Sequence, residues 1–325
     1  MLAYVYIYSA LRILNFMDVV SLFSGAGGLD LGFIDAGFNI VWANDFDKDA
    51  VKTYQNNIGD HIVYGKIEDI PTSSIPDCDV VIGGFPCQGF SQANRLRFED
   101  DDRNKLYLEF LRVVRDKQPK FFFAENVRGI LSLGGGEAID KIEKDFASAG
   151  YKMQKKLFNT ADYGVPQARW RVILVGTRND IAFDYQYPDE SHSSPKKAEK
   201  NGLEKWVTIG EALSKIPEPD EEHNLVNHIY SQYKVTNRNF TGHRQTDPDK
   251  PSPTILARGN GKGGVCAIQH PKNHRRMSIR ESAIIQSFPL HHEFYGSMTS
   301  CYRQVGNAVP AKFAYLIANQ LKDYK

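Results

Sequence analysis

Three short stretches hold residues whose types could carry group-transfer chemistry. In "VVIGGFPCQGFS" an apolar run ends in Phe85-Pro86-Cys87-Gln88, so a thiol stands just past a candidate strand. In "FFFAEN" the carboxyl of Glu125 closes another apolar run, and in "QARWRV" Arg169 and Arg171 flank Trp170. An activated thiolate is a strong nucleophile, a carboxyl can hold or deliver a proton, and a guanidinium presents a fork of donors to an acceptor oxygen. Residues two apart on a strand share a face, so both arginines can point the same way. A carboxyl ending an apolar run is expected to be partly desolvated, which would help it carry a proton near neutral pH. Each feature has a plainer reading as well. A lone cysteine usually packs as a small hydrophobe, a strand-end acid usually faces water, and two arginines on a strand usually form a solvated face.

A fourth stretch bears on what is transferred. "SLFSGAGGLDLGF" sets Gly25, Gly27 and Gly28 between a strand and a helix, and Asp45 ends the next strand, where an acid can accept from ribose hydroxyls. The dinucleotide fingerprint G-x-G-x-x-G fails because Asp30 occupies its last glycine position, and no G-K-[ST] supports a phosphate. An acid in the first helical turn would also compete with a bound anion for the positive helix end. A cofactor with a ribose but no pyrophosphate fits better, which favours S-adenosylmethionine over a nicotinamide dinucleotide.

Holding these groups in place falls to strand and helix signals that alternate up to about residue 178. "VVSLF", "NIVWAND", "DVVIGGF", "FFFAEN" and "RVILVGT" read as strands; "LDLGFIDAG", "KLYLEFLRVVRDK" and "EAIDKIEKDFASAG" have helical spacing, the last stopping at Gly150. The pattern predicts an α/β fold with a doubly wound, mostly parallel sheet. From about 180 to 280 Pro, Gly, Asn and His punctuate the chain, which predicts a second, loop-rich domain, and "VPAKFAYLIANQLKDY" is helical again.

Composition fits this picture. A chain of 325 residues, 42% hydrophobic and 24% charged, can bury one large core or two. The four cysteines, Cys78, Cys87, Cys266 and Cys301, have no metal-type spacing, so a reduced, cytoplasmic setting without structural disulfides or a metal is expected. Residues 1–16 are apolar but too short for a membrane span and interrupted by Arg12; they read as an appendage, with Met17 as the alternative start. Net charge is +1, yet residues 234–280 hold ten Lys and Arg against Asp247 and Asp249. Such a local excess in a neutral chain favours a polyanionic partner, nucleic acid first.

The stretches "DVVSLFSGAGGLDLGF", "GGFPCQGFS", "AENVRGIL", "QARWRV", "RESAIIQSFP" and "QVGNAVPAKFAYLIA" resemble the successive motifs of the DNA cytosine C5-methyltransferases, in the family's order. The resemblance implies a Rossmann-like S-adenosylmethionine-dependent fold: a catalytic and cofactor domain over 17–181, a target-recognition domain over 182–278, and a segment 279–325 that returns to the catalytic domain. It implies that Cys87 adds to C6 of a flipped-out cytosine, that Glu125 holds N3, and that Arg171 contacts O2 with Arg169 beside it. Cofactor contacts would come from Phe23, Gly25, Gly27, Asp45, Phe46 (stacking on adenine), Ile67, Pro86, Leu106, Asn307, Ala308 and Val309. Gln88 and Ser91 would lie on a loop, about 88 to 104, that closes over the site on DNA binding. Arg244, Thr254, Arg258, Lys262, Arg275 and Arg276 are the remaining candidates for DNA contact, Thr254 because "PSPTILARGNGKGG" resembles the family's recognition stretch. Implied partners are double-stranded DNA and, functionally, a restriction endonuclease, with the enzyme a monomer and no membrane involved; a tRNA-directed member of the same family is the alternative. One departure stands out: Gly65-Lys66-Ile67 replaces the family's Gly-Asp-Ile, so either Asp69 substitutes for the missing acid or that contact is absent.

Overall fold

Apolar side chains that alternate along each strand pack helices on both faces of one sheet. In β1 (Asp18–Leu22), Val19 enters the core on one face and Val20 the core on the other. In β5 (Phe121–Val127), Phe121 and Phe123 share the first core while Phe122 and Ala124 share the second. The computed structural model describes residues 17–85, 105–232, 246–257, 268–272 and 275–324. The expectation for residues 1–16 therefore lies outside the described residues.

The remaining sheet elements are α1 (Gly28–Asp35), β2 (Asn39–Asp45), α2 (Lys48–Asn57), β3 (Ile62–Tyr64), β4 (Val80–Gly83), α3 (Lys105–Lys117), α4 (Glu137–Ser148), β6 (Tyr151–Asn159) and β7 (Trp170–Arg178). The seven strands lie in the order β3-β2-β1-β4-β5-β7-β6, and every pair from β3 to β5 is parallel. β7 runs antiparallel between β5 and β6. Because β7 is reversed, its first residues lie beside the C-terminal end of β5. Chain order turns back between β1 and β4, the kind of switch point where open α/β sheets form their ligand crevice.

The doubly wound α/β sheet is as expected, with three elements beyond the sequence reading. α2 is capped by the Asp47 side chain, which accepts from Asp49 N at 3.1 Å. β3 has only three residues, and β6 carries Lys152, Lys155 and Lys156 on an exposed edge of the sheet.

After β7 the described residues form short elements, α5 (Pro195–Asn201) and α6 (Ile209–Leu213), before α7 (Ile279–Ile285), α8 (Met298–Asn307) and α9 (Ala311–Ala318). A small core of Ile209, Leu213, Ile255, Ile268, Met277 and Ile285 joins α6 and α7 to the segments around residues 255 and 268. α9 returns to the sheet and packs on α1 so closely that a Cβ on Gly32 would lie 2.3 Å from Ala314 Cβ. No helix among the described residues is long and apolar enough to cross a membrane.

Candidate active site

The glycine loop follows β1 at the switch point. Gly25 (φ +56°) and Gly27 (φ +83°) take left-handed backbone that other residues rarely adopt. Phe23 adopts φ +56° as well, a conformation costing on the order of 1 kcal/mol or more without a glycine. The Asp45 carboxylate, at the end of β2, fixes the loop: it accepts from Gly25 N and from Asp47 N, each at 2.8 Å. Each oxygen spends one lone pair on backbone and keeps another for a hydroxyl donor. Burial pushes its pKa up to about 6, with the two amide donors limiting the rise. Asp30 is fully buried, accepts from the Tyr54 hydroxyl at 2.9 Å, and is likewise pushed up to about 6 by burial.

The C-terminal segment closes on this loop from behind. A Cβ on Gly28 would lie 2.4 Å from Val309 O and 3.1 Å from Ala308 Cβ, so the two backbones touch. Asn307, just before them, is exposed. Phe46 presents its ring, 63% exposed, directly after Asp45, whereas Ile67 is buried and Leu106 packs partly buried on the second core. Lys66 and Asp69 are both exposed, and Lys66 O accepts from Asp69 N across a short 3-10 turn.

Glu125 and Arg171 meet where β5 ends and β7 begins. Arg171 Nε lies 2.5 Å from Glu125 Oε1, and both side chains are largely buried, 13% and 12% exposed. Neither of these two atoms has an aligned hydrogen-bond partner, nor does Arg169 Nε. The carboxylate and guanidinium stand together as a largely buried ion pair at this strand end, where Arg171 Nη1 also donates to Trp170 O at 2.8 Å. β4 reaches the same place: a Cβ on Gly84 would lie 3.2 Å from Glu125 Oε2. Asn126 Nδ2 donates to Phe85 O at 3.0 Å, pinning the chain as it leaves the sheet two residues before Cys87. Pro86, Cys87, Gln88 and Ser91 lie outside the described residues, as do Arg244, Arg258 and Lys262.

Several expectations need correction. Arg169, expected beside Arg171 at the base, is 1% exposed, and its guanidinium donates to Ile255 O at 3.2 Å and Gly306 O at 3.1 Å. Burial and the Arg171 guanidinium pull its pKa down to about 9, so it stays charged and ties two distant segments to the base of β7. The Thr254 hydroxyl, expected at a base edge, donates to Ala168 O at 2.9 Å. Arg275 is not a free surface cation. Its guanidinium bonds both oxygens of Glu281 at 2.8 and 2.9 Å and Glu218 at 2.9 Å, and it lies 5.3 Å from the Tyr230 ring. Burial alone would lower its pKa, but the two carboxylates outweigh that and raise it. Arg276 is 4% exposed, and Arg280 is buried, donating to Val226 O and Pro289 O. Much of the described positive charge in this region is therefore internal structure rather than a phosphate-facing surface.

Three positioning residues escaped the sequence reading. Besides Asn126, Gln167 accepts from Ile255 N at 3.1 Å and donates to Gln286 Oε1 at 2.8 Å, and Gln286 donates to Val305 O at 2.7 Å. This buried chain of amides locks β7's approach, the 250s segment and α8 together. The signal was present, since all three lie inside the quoted motifs, but an uncharged amide carries no chemistry of its own to draw attention.

The comparisons agree with this geometry. The model of the C-5 cytosine-specific DNA methylase family matches residues 17–323. The chain is 40% identical to the Type II methyltransferase M.NgoFVII of Neisseria gonorrhoeae over 330 residues, covering 94% of this chain and 87% of that one. It is 38% identical to the Type II methyltransferase M.FnuDI of Fusobacterium nucleatum, with 94% of each covered. Among solved structures, a putative DNA modification methyltransferase encoded within an Escherichia coli prophage superposes with a TM-score of 0.73 at 24% identity, over 94% of this chain and 98% of that one, a likeness of fold. With the family match spanning the glycine loop, the Glu125–Arg171 pair and the returning C-terminal helix alike, the chain belongs to the C-5 cytosine-specific DNA methylase family.

Proposed function

We propose that this chain is a site-specific methyltransferase that places a methyl group on C5 of a cytosine flipped out of duplex DNA, by way of a covalent bond between Cys87 Sγ and C6. The observation that carries this reading is the Glu125–Arg171 pair, largely sealed from water, beside the point where the chain departs toward Cys87. Cytosine C5 is a poor nucleophile. Addition of the thiolate to C6, with Glu125 protonating or hydrogen-bonding N3, makes C5 an enamine carbon able to take a methyl group. The Arg171 guanidinium would orient Glu125 and donate to O2. Removal of the C5 proton then expels the thiolate.

S-adenosylmethionine supplies an electrophilic methyl group on a sulfonium. The residues present suit it: Asp45 keeps acceptor capacity for ribose hydroxyls, Phe46 offers an exposed ring for adenine, and Asp30 in the first helical turn disfavours a bound phosphate there. Residues 182–278 would read the DNA, and the Type II relatives favour a role protecting host DNA from a partner endonuclease.

Bisulfite sequencing of plasmid from an expressing host tests the whole reading. Cytosines resistant to conversion at one short recurring sequence are expected. Full conversion everywhere would overturn it, and protection confined to host RNA would move the substrate to tRNA.

A further inference from the structure

Trp170 opens β7 with 43% of its surface in water, between the buried Arg169 and the paired Arg171. The Arg128 guanidinium lies over its ring, 5.6 Å from the centroid. Arg128 is exposed and follows Val127, which is opposite Arg171 in the β5–β7 register and 45% exposed. Arg112, Arg178, Arg275 and Arg303 each have a carboxylate within 3.0 Å. Arg128 has none among the described residues. A cation and a large aromatic ring thus stand together, unpaired and wet, at the end of the sheet that carries the candidate catalytic pair.

Packing does not explain this arrangement, because it buries neither group. A cation–π contact with an indole contributes about 0.5 to 1 kcal/mol at an exposed site and keeps the guanidinium close to the ring. A guanidinium offers paired donors to two oxygens of one anion, and the two non-bridging oxygens of a phosphodiester suit it. The exposed indole supplies an apolar surface of the kind a deoxyribose covers.

We propose that Arg128, steadied by Trp170, grips a phosphodiester of the strand that carries the target base and so holds that strand at the mouth of the site. The proposal rests on the reading above that DNA is the substrate. Strands alternate side chains between faces, so Trp170 lies on the opposite face from Arg171, and the contact is one of positioning rather than catalysis.

The test compares Arg128→Gln, Arg128→Lys and Trp170→Leu in the full chain by fluorescence anisotropy with a duplex containing the modified site, at several salt concentrations. Arg128→Gln should weaken binding about tenfold, the loss of one charge-assisted contact. Its plot of log affinity against log salt should be shallower by about 0.9, the slope for one phosphate. Arg128→Lys should restore the slope, and Trp170→Leu should keep the slope while weakening affinity about two- to fivefold. In Arg128→Gln the KM for DNA should rise by about the same tenfold as the dissociation constant, while binding of S-adenosylmethionine stays unchanged. An unchanged slope in Arg128→Gln sinks the phosphate grip, whether or not the wild-type protein methylates. A wild-type protein that binds duplex with normal salt dependence but methylates nothing would instead count against the catalytic reading alone.

Discussion

Arg171 Nε stands 2.5 Å from Glu125 Oε1, yet neither atom completes an aligned hydrogen bond. Strand register creates the relationship: Val127 is opposite Arg171 and Glu125 is opposite Ile173, so acid and base face each other diagonally across one antiparallel step. The pair holds opposite charges together at the strand end, where the proposed mechanism needs a proton donor. Glu125→Gln should therefore lower kcat by about 10²- to 10⁴-fold, the usual contribution of a positioned proton donor, with cofactor affinity unchanged. Steady-state kinetics with labelled methyl donor and isothermal titration read the two effects separately. Retention of kcat within about threefold would remove Glu125 from the mechanism.

With Asp45 at the cofactor's ribose, as proposed, cofactor binding should depend on pH. Burial sets its carboxyl at about 6, above the ordinary value near 3.9. A folded-state pKa above the unfolded value means the native protein holds that proton more tightly. This group's contribution to stability is thus greatest below about pH 4 and declines as pH rises to 6. Binding has the opposite sign, because only the carboxylate can accept from two ribose hydroxyls. Affinity for S-adenosylmethionine should rise between about pH 5 and 7 and then level off, and Asp45→Asn should flatten the profile at a loss of about 1.5 to 3 kcal/mol. Asp30 is also set at about 6, so Asp30→Asn is the needed control. A profile that persists in Asp45→Asn and vanishes in Asp30→Asn would assign the titration to the buried acid.

How much of this was legible in the sequence depends on whether a signal was local. The glycine loop, the strands around it and the acid ending β2 are read within a few residues, and their periodicity is strong. β6 hid because Lys152, Lys155 and Lys156 interrupt its apolar pattern, as suits an exposed sheet edge. Arg275 in the 234–280 segment was misread for a different reason. A residue count cannot tell an arginine facing water from one facing Glu218 and Glu281, carboxylates 57 residues before and 6 residues after Arg275. Thr254 and Arg169 likewise found partners 86 residues away, in each other's segments. Side-chain chemistry was visible; long-range pairing was not.

Arg275 accordingly has a structural prediction in place of a DNA-binding one. The Glu281 carboxylate is 2% exposed and receives two bonds from this guanidinium. Arg275→Ala leaves that charge buried and unpaired, which should cost about 3 to 5 kcal/mol of stability. The salt dependence of DNA binding should stay the same in the folded fraction. Denaturant titration and anisotropy decide the matter together: a variant of normal stability whose salt slope drops by about one unit would restore Arg275 as a phosphate contact.

Cys87 follows a short segment that two observations fix: Gly84 backs against Glu125 Oε2, and Asn126 holds Phe85 O. If its thiolate adds to C6, the adduct can collapse after methyl transfer only by losing the hydrogen on C5 as a proton. Fluorine at C5 cannot leave as a cation. Duplex DNA carrying 5-fluorocytosine at the target should therefore trap the wild-type protein in a complex stable to denaturant, only when S-adenosylmethionine is present. Cys87→Ala should form no adduct and no product while still binding cofactor, because Asp45 and the glycine loop are untouched. Glu125→Gln should trap more slowly than wild type in proportion to its lost turnover, since N3 would lack the donor that makes C6 electrophilic. Denaturing electrophoresis after timed quenching reads all three proteins on one gel. Methylation by Cys87→Ala above a trace would leave the thiol as a packed hydrophobe and require another route to activate C5.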